Sequence, residues 1–240
     1  MTATAFVFGA TGYTGREVVR ALASTETSVV AHIRPDSSRR AEWTQLFESW
    51  GAQVDTTAWE MEALTAALKR HQADVVYCLI GTTRKRKHQS ATPAQETYES
   101  VDYGLTALLV KACQRITEKP PLFVYVSSVG CRDGTPSAYM QARWKAEECI
   151  RHSGLPHVIA RPSFISGPDR GESRPLERAA SVAMDGLLAG VGALGMRRLA
   201  RRYRSTDGRR LAMALIRWAA SSDLHLTIES EDLYEDPASP

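Results

Sequence analysis

The chain is poor in cysteine, and its four thiols, Cys78, Cys113, Cys131 and Cys149, stand far apart. With no CxxC pair and no interleaved histidine they exclude a zinc ribbon or a disulfide scaffold, and they point to a reducing compartment. The six histidines are equally dispersed, none at the spacing that turns two rings toward one metal. Long apolar runs are missing too: no window approaches the ~20 residues that a helix needs to cross a bilayer. Nor is there an excess of one charge. Thirty Lys and Arg against 27 Asp and Glu give a formal charge of +3, too mild to call for a nucleic-acid partner, and none is expected. The first residues lack a charged stretch followed by an apolar core, so a cytoplasmic protein is expected. No internal repeat is visible.

What is present is alternation. Short apolar runs read as strands at residues 5–8, 29–33, 53–54, 74–80, 122–126 and 157–160. Helical spacing occupies residues 15–23, 61–70, 98–115, 139–152 and 207–220. Near-continuous apolar strands alternating with helices predict an α/β fold, a doubly wound parallel sheet covered on both faces. At 240 residues the chain reads as a single domain over 1–240, with residues from about 163 forming a small C-terminal cap. A small-residue helix is expected at 176–188, and the acidic tail after Glu229 is expected to fray. The arginine-rich segment from Arg197 to Arg210 reads as a solvated helix face over the cleft. Contact with an anionic membrane surface or an acidic protein is the alternative.

The sharpest motif is Gly9-Ala10-Thr11-Gly12-Tyr13-Thr14-Gly15, directly after the first strand and opening the first helix. Gly9 permits the tight turn, Gly12 lets backbone approach a pyrophosphate, and Gly15 lets the helix lie close on the sheet. The helix N-terminus then offers N–H groups and a positive dipole end to phosphates. A Rossmann fold binding a dinucleotide is the expectation. The end of the second strand reads the cofactor: an acidic residue there suits NAD, an arginine suits the 2′-phosphate of NADP. The chain has Arg34, followed by Ser37, Ser38, Arg39 and Arg40, with Asp36 as a counter-signal. Guanidinium groups grip phosphate through paired, charge-assisted bonds, so NADP(H) is the expected cofactor.

Ser128 follows the fifth strand and Tyr139 opens the next helix. In a reductase of this layout the tyrosine moves a proton and the serine orients a carbonyl. A lysine one helical turn beyond the tyrosine holds the ribose and lowers the tyrosine pKa. Here residue 143 is arginine, and Lys145 points elsewhere. Arg143 supplies charge and ribose hydrogen bonds but is no faithful replacement for an ammonium, so weak turnover is expected, with Arg143→Lys raising it.

These residues resemble a known group. The motif GATGYTG, the segment CLIGTTR from Cys78 to Arg84, VSSVG from Val126 to Gly130 and Arg161-Pro162 look like atypical short-chain dehydrogenases/reductases of the NmrA-like kind. DRGESRP, from Asp169 to Pro175, together with CLIGTTR, is similar to the Tat-interacting-protein family of oxidoreductases. The resemblance implies NADPH phosphates over Gly9, Thr11, Gly12, Tyr13, Thr14 and Gly15, and a 2′-phosphate near Arg34. It also implies that Gly81, Thr82 and Thr83 pass beside the adenine-side ribose and pyrophosphate. Tyr139 and Arg143 would flank the nicotinamide ribose, and backbone at Pro162 and Ser163 would face the nicotinamide. The family pattern has lysine in place of Arg143. Two functions are therefore expected: an NADPH-dependent reductase of a small carbonyl-like substrate, or an NADP(H)-binding, redox-sensing regulatory protein with little or no catalysis.

Overall fold

The run Ala5-Phe6-Val7-Phe8 has no polar face, and it folds as a strand covered on both sides. Ala5 and Val7 enter one hydrophobic layer, Phe6 and Phe8 the other. This strand, β1 (Thr4–Phe8), lies inside the sheet of the computed structural model, which describes residues 2–82, 96–165 and 205–235. In chain order there follow α1 (Tyr13–Ala23), β2 (Ser28–His32), α2 (Arg40–Ser49), β3 (Gln53–Asp55), α3 (Met61–Arg70) and β4 (Val75–Cys78). A π-helix (Tyr98–Leu105) runs directly into α4 (Thr106–Gln114), and β5 (Leu122–Val126), α5 (Ala138–Arg151) and β6 (His157–Arg161) come next. The described elements close with α6 (Gly208–Ala219) and β7 (Leu226–Glu229).

The sheet has seven strands in the order β3-β2-β1-β4-β5-β6-β7, every neighbouring pair parallel. The order reverses between β1 and β4, so the connections leave these two strands in opposite directions and open a crevice at their carboxyl ends. One face of the sheet carries α1 and α6, with Val18, Val19 and Leu22 meeting Leu211, Ala212 and Leu215 in a shared core. The other carries α3, α4 and α5, packed through Leu64, Leu68, Leu109, Ala146 and Ile150. The doubly wound parallel sheet expected from the alternation is the architecture observed.

Four differences from the sequence reading have local causes. Helix α2 was not expected: it buries only Phe47, too thin an apolar stripe to show as helical spacing. Strand β7 is a short edge strand whose one buried residue is Ile228, too little for an alternation to register. The long helix expected over residues 98–115 begins as two wide π turns before tightening into α4. The tail expected to fray folds back through residue 235: Leu233 is fully buried, and its carbonyl accepts from Arg217 and from Trp218 Nε1 at 3.1 and 3.0 Å. The expected helix at 176–188 and most of the arginine-rich segment lie outside the described residues. Within α6, Arg210 stacks over the Tyr234 ring at 4.7 Å.

Candidate functional site

The chain leaves β1 through Gly9, whose φ of +84° is left-handed and strains any side chain. A Cβ there would also stand 2.6 Å from the Leu79 carbonyl oxygen, just beyond β4. Gly15 lies in the first turn of α1, where a Cβ would come within 2.1 Å of the Gly9 carbonyl oxygen; the helix therefore rests directly on the turn. The Gly12 N–H donates to the Gly9 carbonyl at 3.0 Å, and the Gly12 carbonyl accepts from Arg16. Gly12 is the N-cap residue of α1, and neither a side-chain cap nor a first-turn carboxylate attends the helix start. Its positive end is thus directed at the crevice and not toward an internal anion. Tyr13 turns away to pack on α6: a Cβ at Gly208 would sit 2.7 Å from the tyrosine ring.

The crevice is a cleft of about 220 Å³ lined by the phosphate turn, the ends of β2 and β4, and the segments after β2 and β3. Of the residues expected at the cofactor, Gly9, Thr11, Gly12, Arg34 and Gly81 line it. Thr14 and Gly15 stand behind them in the first turn of α1, and Thr83 lies outside the described residues. Arg34 Nη1 is 3.5 Å from both Asp36 and Glu96, so its charge is held loosely between two carboxylates. Arg39 pairs with Glu42 and stacks over the Trp43 ring at 4.7 Å, whereas Arg40 donates to the Pro35 carbonyl and does not line the cleft.

Sequence reasoning missed His32, Trp43 and Trp59, which complete the cleft wall. His32 ends β2, so strand alternation had masked it as core; its ring lies against Phe8 and Trp59, and its Nε2 is 2.8 Å from the Thr57 carbonyl. Burial lowers the His32 pKa from 6.5, against an opposing hydrogen bond to Thr57 and the charge of Asp55. A cleft walled by His32, Trp43 and Trp59 beside the phosphate turn and the cations of Arg34 and Arg39 fits an adenosine phosphate, and the residues present fit the NAD(P)(H) that the glycine motif implies.

The remaining expected residues gather at the same end of the sheet, outside this cleft. Ser128 follows β5, where Ser127 and Val129 N–H groups donate to the Ala160 and Pro162 carbonyls at 2.7 and 2.9 Å. Ser163 is buried, its N–H donating to Ser230 Oγ at 3.2 Å. Tyr139, in the first turn of α5, meets Tyr98 edge-on with ring centroids 5.4 Å apart. Arg143 is buried. Its guanidinium donates to the Tyr125 hydroxyl (3.1 Å), the Val126 carbonyl (2.7 Å) and the Ile80 carbonyl (3.1 Å), and pairs with Asp102 at 2.9 Å. It lies 5.3 Å from the centroid of the Tyr139 ring. Burial alone would lower the Arg143 pKa, but the surrounding Tyr125, Tyr139 and Asp102 oxygens raise it, so the cation is permanent. Asp102, buried on the π-helix, was not anticipated; it was read as one more position in an amphipathic helix.

With this geometry in view, the comparisons with known proteins are direct. A family model described as NAD(P)H-binding matches residues 9–186. The chain belongs to this NAD(P)H-binding family, of the NmrA-like, atypical short-chain dehydrogenase/reductase type. It is 27% identical over 176 residues to the mitochondrial protein FMP52 of Candida albicans, covering 71% of this chain and 70% of that one. It is 30% identical over 183 residues to the chloroplastic protein TIC 62 of Oryza sativa, covering 68% of this chain but 35% of the relative, about a third of its length. Among solved structures the fold matches the Bordetella bronchiseptica enzyme WbmH in complex with NAD+ (TM-score 0.62, 15% identity, 98% of this chain and 80% of that one). It also matches the Citrobacter triphenylmethane reductase complexed with NADP(H) (TM-score 0.59, 15% identity, 95% and 69%). The expectation of a cytoplasmic protein is corrected by the curated relatives, which are named mitochondrial or chloroplastic. The signal used for that expectation was the lack of an apolar core, and organellar transit segments are amphipathic and Arg-rich without one. The DRGESRP segment lies outside the described residues.

Two measurements follow from the site. An ammonium cannot reach the three oxygens and the carboxylate that the Arg143 fork holds together. Arg143→Lys is therefore expected to destabilise the fold by about 2–4 kcal/mol in urea unfolding, in place of the gain in turnover expected from sequence. A variant as stable as the parent would show that the clamp is unimportant. His32 and His157 both have pKa values lowered by burial from 6.5, so the folded protein resists protons that the unfolded chain accepts. Stability is then complete above 6.5 and falls as pH drops below it toward the folded values. The urea midpoint should be lower at about pH 5.5 than at about pH 7.5, and replacing both histidines by Gln should shrink that difference.

Proposed function

We propose that the chain binds NADP(H) in preference to NAD(H) and reduces a small carbonyl-like substrate with it. The observation that carries the cofactor preference is the position of Arg34 and Arg39 in the cleft wall at the end of β2, where an NAD binder would place a carboxylate on the ribose. The contacts of Arg34 with Asp36 and Glu96 are long, so a doubly charged phosphate can replace them with paired bonds to the guanidinium. Backbone N–H groups of the turn at Thr11 and Gly12 would hold the pyrophosphate, with Trp59 and His32 walling the adenosine end.

The bound nicotinamide would supply a hydride. Tyr139 would give its hydroxyl proton to the carbonyl oxygen, which Ser128 would orient. Arg143 steadies α5 against the ends of β4 and β5 and lends Tyr139 a fixed positive neighbour. That placement is also what favours the second reading, an NADP(H)-binding regulatory protein with slow turnover, since a cation spent inside the fold cannot stabilise a tyrosinate as a mobile ammonium does.

Fluorescence titration separates the cofactor choices. The unmodified protein should bind NADPH more tightly than NADH, and Arg34→Ala should cost about 1.5–3 kcal/mol toward NADPH alone. Equal affinity for the two nucleotides would remove the preference. Steady-state NADPH oxidation against aldehydes and quinones then tests the chemistry: Tyr139→Phe should lower any turnover by roughly 10²–10⁴-fold. A fully active Tyr139→Phe would sink the proton-transfer role, and no turnover with intact NADPH binding would favour the regulatory reading.

A further inference from the structure

We propose that Asp102 is a positioning residue for the cofactor loop that follows β4, acting through Thr82 and balanced by Arg143. The inference rests on the reading of the cleft as a nucleotide site. Asp102 is completely buried. Its Oδ2 accepts from the Thr82 N–H at 3.0 Å and from Thr82 Oγ1 at 2.5 Å, while Oδ1 lies 2.9 Å from Arg143 Nη2. The same Nη2 donates to the Ile80 carbonyl at 3.1 Å. Between these two anchored residues sits Gly81, where a Cβ would stand 2.7 Å from Nη2 and 3.5 Å from Oδ1. Three consecutive residues are thus held from behind: a cation on the carbonyl of the first, close contact under the second, an anion on the N–H and hydroxyl of the third.

Ile80 and Gly81 line the cleft beside the phosphate turn, so this arrangement sets how far the loop stands from a bound nucleotide. The π-helix is what delivers the carboxylate. Its wide turns bring Val101 and Asp102 inward together, its start is fixed by a capping box between Thr97 and Ser100, and Thr106 Oγ1 secures the Asp102 carbonyl at 2.8 Å. The charges cancel as a pair. A lone aspartate here would repel the phosphates of the cofactor and a lone arginine would draw them into the loop, whereas the pair fixes geometry and adds no net charge.

The test is a double-mutant cycle read by titration with NADPH and NADH. Asp102→Asn keeps a single acceptor oxygen, so either Arg143 or the Thr82 N–H is left facing an NH₂ group and the clamp on the loop is broken; it should weaken both nucleotides by the same factor of about 10, unlike Arg34→Ala, which discriminates. Thr82→Val, which removes one anchor without changing charge and serves if Asp102→Asn does not fold, should weaken both by about 3- to 10-fold, and Thr82→Ser should restore them. In the Asp102→Asn background Thr82→Val should add nothing further. Asp74→Asn removes a carboxylate contact to Thr4 N–H and Lys119 at the opposite end of the sheet; it should lower the urea midpoint while leaving both affinities intact. Unchanged affinity in Asp102→Asn and Thr82→Val overturns the proposal while the nucleotide reading stands. Fully additive losses overturn it as well, because they place the Thr82 hydroxyl on the cofactor itself. Failure of the unmodified protein to bind either nucleotide removes the reading of the cleft and this proposal together.

Discussion

Helix α1 starts so close to the end of β1 that no atom fits between Gly15 and the Gly9 carbonyl, and much of the molecule is arranged around that approach. It directs the N–H end of the helix at the crevice where the strand order reverses, the one place where an open parallel sheet exposes backbone at the ends of two diverging connections. It also draws α1 close onto the sheet, and the stripe that continues from Gly15, Val18, Val19 and Leu22, is buried in a layer that α6 completes. A residue with a side chain at position 15 would push the helix away from the turn, opening both contacts at once.

Around the crevice the protein relies on buried charge where a simpler sheet would use apolar packing. Asp102 and Arg143 join the ends of β4 and β5 to the π-helix and α5. Glu147, fully buried on α5, takes both Arg161 from β6 and Arg151 from its own helix, while Arg161 also reaches Glu229 on β7 at 2.5 Å. Asp55 at the end of β3 holds Arg70 and His71, tying that strand to the end of α3. Such pairs add little net stability over packed hydrocarbon, because desolvation offsets attraction. Their value is geometric: a carboxylate with two partners accepts far fewer arrangements than a leucine does. Each of these clusters sits where a strand stops and a loop must begin at a fixed place.

How much of this was legible in the residues follows from the range of each interaction. Strands β4 and β5 and helices α3 and α5 announced themselves because their apolar positions repeat with the period of the element. The phosphate turn was legible because its three glycines answer to local demands, a left-handed φ at one and a close approach at another. Arg34 was legible through its place at the end of a strand. The partners of Arg143 were not, since a guanidinium one turn after a tyrosine looks the same whether it faces a ribose or an aspartate on another helix. Nothing in local spacing tells a π turn from an α turn either, and it is the π turns that carry Asp102 inward. His32 and Trp59 were hidden for a related reason: the same aromatic can fill a core or wall a cleft, and only the neighbouring strand ends decide.

The packing of Tyr13 on Gly208 ties α1 to α6 in time as well as in space. A ribosome makes the phosphate turn nearly two hundred residues before the helix on which the ring that heads α1 has its seat. Until α6 and β7 have emerged, the side of α1 that α6 covers is open to solvent and β6 is a bare edge. A nascent chain of this protein therefore carries the sequence of its nucleotide cradle long before it has the cradle's support, and that support waits on α6 and β7.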